Sequence, residues 1–163
     1  MSVTAAIAAN EEAIGGDAGK ARVVFRTAGS LVGPTHVRLV SRDHTIEVDE
    51  PDVLAGGNRF ANPVEYALAS LASCQAITYR FWAAKLGIEL DGVEVAVEGD
   101  LDLHGFFGLE SGVRPGFTGI RLDVTPLGPE SAERYEALAA AVDEHCPVLD
   151  LFRNATPVER QLV

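Results

Sequence analysis

The sequence predicts an α+β fold. Three observations carry this: short β-branched stretches punctuated by Gly, Pro and Asp follow residue 20, one long proline-led apolar helix comes next, and two alternating strands and a second helix close the order. Strands and helices in separate runs, without regular β-α alternation, give an antiparallel sheet with helices packed against it. With 163 residues, 47% of them hydrophobic, the chain can bury one good core.

Residues 1–20 read as an N-terminal extension, Ala-, Glu- and Gly-rich, forming a short, weakly held helix that runs into "GGDAGK". Residues 21–163 read as a single domain. Its first block, 21–27 ("ARVVFRT"), 36–41 ("HVRLVS") and 44–49 ("HTIEVD"), is an expected antiparallel meander. Asn62 then offers an N-cap, Pro63 suits the first helical turn and Gly87 suits the position past the end, so 62–86 is one long helix. Apolar and small residues lie on nearly every face of it, which places it inside the fold or at a subunit contact.

Residues 93–101 and 120–125 alternate strictly, as strands with one wet face do. The stretch between them, "HGFFGLESGVRPGF", reads as a long loop or irregular connection. Residues 130–145 form a second, amphipathic helix, and "TPVERQLV" is expected to add an edge strand.

Charge narrows the partners. A formal net charge of −11 and a pI near 4.7 repel phosphate backbones and anionic lipid, so neither nucleic acid nor a membrane surface is expected as a partner. The opening residues lack the basic and apolar regions of a secretory signal, and the most apolar stretch, 63–86, is interrupted by Glu65, Arg80 and Lys85. The expected location is the cytoplasm. The four histidines, His36, His44, His104 and His145, form no metal-ligand spacing with each other or with cysteine, so no metal site is expected.

Two cysteines in a reducing compartment are either inert thiols or a redox pair. Cys146 precedes Pro147, which pushes it out of helical geometry. If "PVLDLF" begins a short helix, Cys146 is its N-cap, where backbone N–H groups and the helix dipole favour thiolate. The alternative is a cysteine filling a corner between helices. Cys74 sits mid-helix among small and apolar neighbours, a setting that raises a thiol pKa unless a cation enters; its alternative is a buried core residue.

Taken together, "DEPDVLAGGNRFANPVEYALASLASCQAI", "EGDLDLHGFFGLESGVRPGFTGIRL" and "EHCPVLDLF" resemble the OsmC/Ohr family, in its OsmC-like branch, from about residue 36 onward. The resemblance implies an OsmC-like fold with a long buried central helix, assembled as an intertwined homodimer. It implies a thiol-dependent peroxidase acting on organic hydroperoxides. Cys74 would be the attacking thiol, oxidised to sulfenic acid, and Cys146 the thiol that resolves it as a disulfide; a dithiol reductant would then regenerate the pair. No cofactor is implied.

In the Ohr branch an arginine holds the attacking thiolate and a glutamate anchors that arginine. The nearest residues here are Arg38 and Glu65. Glu65 stands nine residues before Cys74, about 900° round a regular helix and roughly 13 Å along it, which points it away from the sulfur. Two further readings stay open: a non-catalytic dimer binding a small apolar molecule, and a redox sensor.

Overall fold

The computed structural model describes residues 1–162. They divide into two compact units, residues 8–69 and residues 1–7 with 70–162. Helix α1 (Val3–Gly16) is followed by a 3₁₀ turn, Ala18–Ala21, whose N-cap Asp17 accepts from the Gly19 amide at 2.9 Å.

The unit of residues 8–69 holds an antiparallel meander of β1 (Ala28–Leu31), β2 (Val37–Ser41) and β3 (His44–Val48). The β2–β3 connection is a two-residue turn with Arg42 at φ 55°, and Ser41 pairs with His44 across it. Val37, Leu39, Ile46 and Val48 turn inward, while Arg38 and Glu47 face each other on the open side. The first strand differs from the expectation. Residues 21–27 join no ladder, and 28–31 pair instead. The reason is register: Ala28 already lies opposite Val40, and β2 turns away at Arg42, so the apolar stretch before residue 28 has no strand beside it. Phe25 is accordingly 89% exposed.

Beyond β3 the chain is tied down by Asp49, which is only 1% exposed. Its carboxylate accepts from the Thr35 hydroxyl at 2.7 Å and from the Glu50 and Gly57 amides. Those bonds, the Thr35 hydroxyl first, hold its pKa down to about 2. A Cβ on Gly56 would overlap the Glu50 carbonyl, so the turn over Pro51–Gly56 requires glycine there.

Helix α2 (Pro63–Leu86) starts from a reciprocal cap: the Glu65 amide donates to Asn62 Oδ1 at 2.8 Å, and the Asn62 amide donates to a Glu65 carboxylate oxygen at 2.7 Å. Gly87, at φ 62°, ends it. Leu71, Gln75, Thr78, Tyr79 and Ala83, at helical spacing, bury one face. The opposite face keeps apolar residues in the open, with Ile77 60% exposed.

In the second unit, β4 (Gly92–Leu101) and β5 (Phe117–Leu127) form one long antiparallel ribbon with a register slip at Asp100/Leu101. Its wet face carries Arg121, paired with Glu98 and Asp100. Its other face, with Val93, Val97, Ile120 and Val124, packs on α2, α4 (Ala132–His145) and α5 (Pro147–Arg153). The larger core cluster centres on Tyr79, Ala83, Ile88, Leu90, Leu138 and Val142. Two further expectations need correction. The stretch after β4 contains a short helix, α3 (Leu103–Phe107), because Asp102 caps its start and Gly108, at φ 65°, closes its end. Residues 156–162 of "TPVERQLV" form no strand, since they are exposed and have no ladder partner; Val163 lies outside the described residues.

Candidate active site

Pro147 shapes the site. It takes the first position of α5 and leaves Cys146 at φ −83°, ψ 109°, outside both flanking helices. Cys146 is thus the C-cap of α4 and the N-cap of α5, and its carbonyl accepts the Asp150 amide at 3.0 Å. Its sulfur turns inward between Leu71 of α2 and Leu149 of α5, leaving the residue 2% exposed.

Cys74 comes to the same cluster from α2, together with Val97, Ile120 and Val148. It is partly exposed, and its carbonyl accepts the Thr78 hydroxyl at 2.7 Å. Both cysteines are free thiols packed in one cluster, near enough for the charge on one to act on the other. The fold therefore brings together two cysteines that are far apart in sequence, one partly exposed and one buried.

Electrostatics separate the two further. Burial pushes the Cys146 thiol up, and a negative charge on Cys74 pushes it in the same direction. The Leu149 and Val148 amides at the start of α5 act against this without closing a cap hydrogen bond on the sulfur. The helix N-terminus is present, as the sequence suggests, but desolvation outweighs it, so Cys146 keeps its proton beyond the ordinary thiol range.

Arg38 and Glu65 both belong to the unit of residues 8–69. The Arg38 Nε donates to Glu47 at 2.8 Å across the β2–β3 ladder, and this bond leads the lowering of the Glu47 pKa. Glu65 is half of the α2 cap described above. His145, next to Cys146 in sequence, lies tilted against Trp82 with ring centroids 4.0 Å apart, and its Nδ1 lies 2.8 Å from the Ala141 carbonyl. No group of three or more His, Cys, Asp or Glu side chains suited to a metal ion occurs among the described residues. No helix among them is long and apolar enough to cross a membrane.

One residue near the site has no part in the sequence reading. Arg114, in "SGVRPGF", lines a groove of about 590 Å³ together with Leu71, Ile120 and Leu149, which also pack around the thiols. The available signal was a lone arginine held between Val113 and Pro115 in a connection without periodicity.

Comparison with known families decides the relationship: the family model described as OsmC-like protein matches residues 56–160. The chain belongs to the OsmC-like family. No curated protein matches its sequence. Solved structures resemble the fold of this OsmC-like chain. An OsmC-like protein from Mycoplasma pneumoniae superposes with a TM-score of 0.71 at 17% identity, covering 80% of this chain and 88% of that one. The organic hydroperoxide resistance protein OsmC from Legionella pneumophila gives a TM-score of 0.61 at 22% identity, over 80% and 90% of the two chains. The organic hydroperoxide resistance protein OhrB of Bacillus subtilis gives 0.58 at 22% identity, over 80% and 91%. At these identities the likeness establishes the OsmC-like fold alone.

Proposed function

We propose that this OsmC-like chain is a thiol-dependent peroxidase acting on organic hydroperoxides. The observation that carries the reading is the packing of a partly exposed Cys74 against the cluster that encloses Cys146. The Cys74 thiolate attacks the outer oxygen of the hydroperoxide, the O–O bond breaks, and the leaving alkoxide takes a proton to depart as an alcohol. Cys74 becomes a sulfenic acid. The Cys146 thiol displaces its hydroxyl, forming an S–S bond and releasing water, so the attacking sulfur escapes further oxidation. A dithiol reductant of the cytoplasm then takes up the oxidising equivalent by thiol–disulfide exchange and restores both thiols.

The order of roles follows from access and charge. An attacking sulfur must meet a substrate from solution, and the partly exposed one is Cys74. A resolving sulfur needs only to meet its partner, and it serves best protonated until that moment. Assembly as a homodimer is part of the proposal, supported by the apolar side of α2 left open at Ile77 and Phe81 and by the unpaired apolar stretch at Val23–Phe25.

The test is steady-state turnover of an alkyl hydroperoxide with a dithiol. Cys74→Ser is expected to abolish it. Cys146→Ser is expected to fold, because serine is a good N-cap, and to lose turnover while Cys74 accumulates as sulfinic acid. Full turnover in Cys74→Ser rules the reading out.

A second reading, a non-catalytic ligand-binding dimer, gains support from the engagement of Arg38 and Glu65 by Glu47 and Asn62. It requires ligand-dependent stabilisation to persist in the Cys74→Ala, Cys146→Ala double variant.

A further inference from the structure

The groove beside the thiol pair has a composition of its own. Its apolar side comes from Leu71 of α2, Phe117, Ile120 and Leu122 of β5, and Leu149 and Phe152 of α5, with Thr118 and backbone at Gly116 and Gly119 completing the lining. Two arginines, Arg114 and Arg153, line it and no acidic residue does, in a chain with 24 acidic residues against 13 basic ones. Arg153 is already engaged, donating to Asp143 at 3.1 Å. Arg114 has no hydrogen-bond or ion-pair partner for its guanidinium among the described residues.

Arg114 is also held in place. The loop carrying it lies directly against α3: a Cβ on Gly105 would come within 2.5 Å of the Arg114 carbonyl oxygen. On the other side Pro115 fixes the backbone, and Gly116 leaves room for the guanidinium. A cavity of about 590 Å³ falls within the usual range for small-ligand sites, roughly 300–1,000 Å³.

We propose that this groove binds a medium-chain aliphatic carboxylate, with the alkyl chain along Leu71, Leu122 and Phe152 and the carboxylate on the Arg114 guanidinium. The planar fork of an arginine accommodates both carboxylate oxygens, and the apolar side chains offer the alkyl chain a surface to cover. The inference rests on the groove and does not require the thiol chemistry. The same head group and chain occur in a free fatty acid and in its hydroperoxide, so the probes separate the two sources.

The test is calorimetric titration of the full-length, dithiol-reduced protein with octanoate and with 1-octanol. Octanoate is expected to bind at least about tenfold more tightly, the scale of one hydrogen-bonded charge. Arg114→Gln should remove that preference and leave octanol binding unchanged, Arg114→Lys should restore part of it, and Phe152→Ala should weaken both ligands. The exposed position of Arg114 leaves folding intact, checked by circular dichroism. Gly105→Ala, which displaces the loop without touching the guanidinium, should weaken octanoate selectively. In a separate arm, a carboxyl-bearing alkyl hydroperoxide is turned over beside its methyl ester. A lower KM for the acid that Arg114→Gln abolishes identifies the hydroperoxide as the groove's ligand. Equal KM values alongside tight octanoate binding identify the free acid. Equal affinity for octanoate and octanol, or an unchanged Arg114→Gln variant, overturns the proposal. So does silence toward octanoate with a changed oligomeric state in Phe152→Ala, which assigns the groove to a second copy of the chain.

Discussion

Replacing Leu71 by alanine is expected to loosen the thiol pair as well as the core. Leu71 is 1% exposed, packs against Cys146 and Leu149 on one side and lines the groove on the other. Truncations of buried leucine cost about 2–5 kcal/mol, through lost transfer energy and the cavity left behind. Because one wall of this site opens on the groove, neighbours can partly collapse, and the lower half of that range, about 3 kcal/mol, is expected. For a chain of this size that corresponds to a fall of about 6–12 °C in Tm. The assay is thermal unfolding followed by circular dichroism in excess dithiol, so that no disulfide contributes. The same variant should close the 74–146 bridge more slowly after one equivalent of hydroperoxide, while Leu71→Met, close in volume, should keep both properties. A loss below about 1 kcal/mol would place Leu71 among ordinary surface positions and refute the packing argument.

Three further predictions follow from the geometry. Asp49 and Glu47 titrate below their usual range in the folded state, so the stability they confer is complete near neutrality and is lost as pH falls through the carboxylate range toward about 2; wild type and Asp49→Asn should converge in denaturant stability over that descent, and a constant gap would contradict it. Gly56→Ala should strongly destabilise the turn over Pro51–Gly56, because the added methyl meets the fixed Glu50 backbone; proteolysis rates at residues 50–61 report it, and wild-type resistance would show the turn tolerates a side chain. Limited alkylation at neutral pH should mark Cys74 before Cys146, since Cys146 is enclosed and its thiol is held protonated; peptide mapping that finds Cys146 modified first would reverse the assignment of roles.

The parts legible in the sequence were those written in local backbone chemistry. Asn62, Pro63 and Gly87 delimit α2 within a residue of where it runs, and Pro147 makes Cys146 a helix boundary in any fold. Strict alternation located β4 and β5, because the ribbon buries one face along its whole length. The first strand was misplaced because "ARVVFRT" has the composition of a strand but the ladder is set by where β2 turns, a property of its partner. Helix α3 was missed because five residues give no periodicity; only Asp102 and Gly108 mark it. The protonation of Cys146 stayed open for a related reason: the helix N-terminus is visible in the chain, whereas the burial that outweighs it is a property of the fold. Arg114 could not be singled out, since what distinguishes it is a groove built from three elements and the absence of a carboxylate in its lining.

The most direct measurement is the intact mass and peptide map of the reduced protein after one equivalent of an alkyl hydroperoxide. The account predicts a loss of two hydrogens and a single peptide pair joined through Cys74 and Cys146. Two unmodified thiols, or a Cys74 oxidised to sulfinic acid beside a free Cys146, would contradict it.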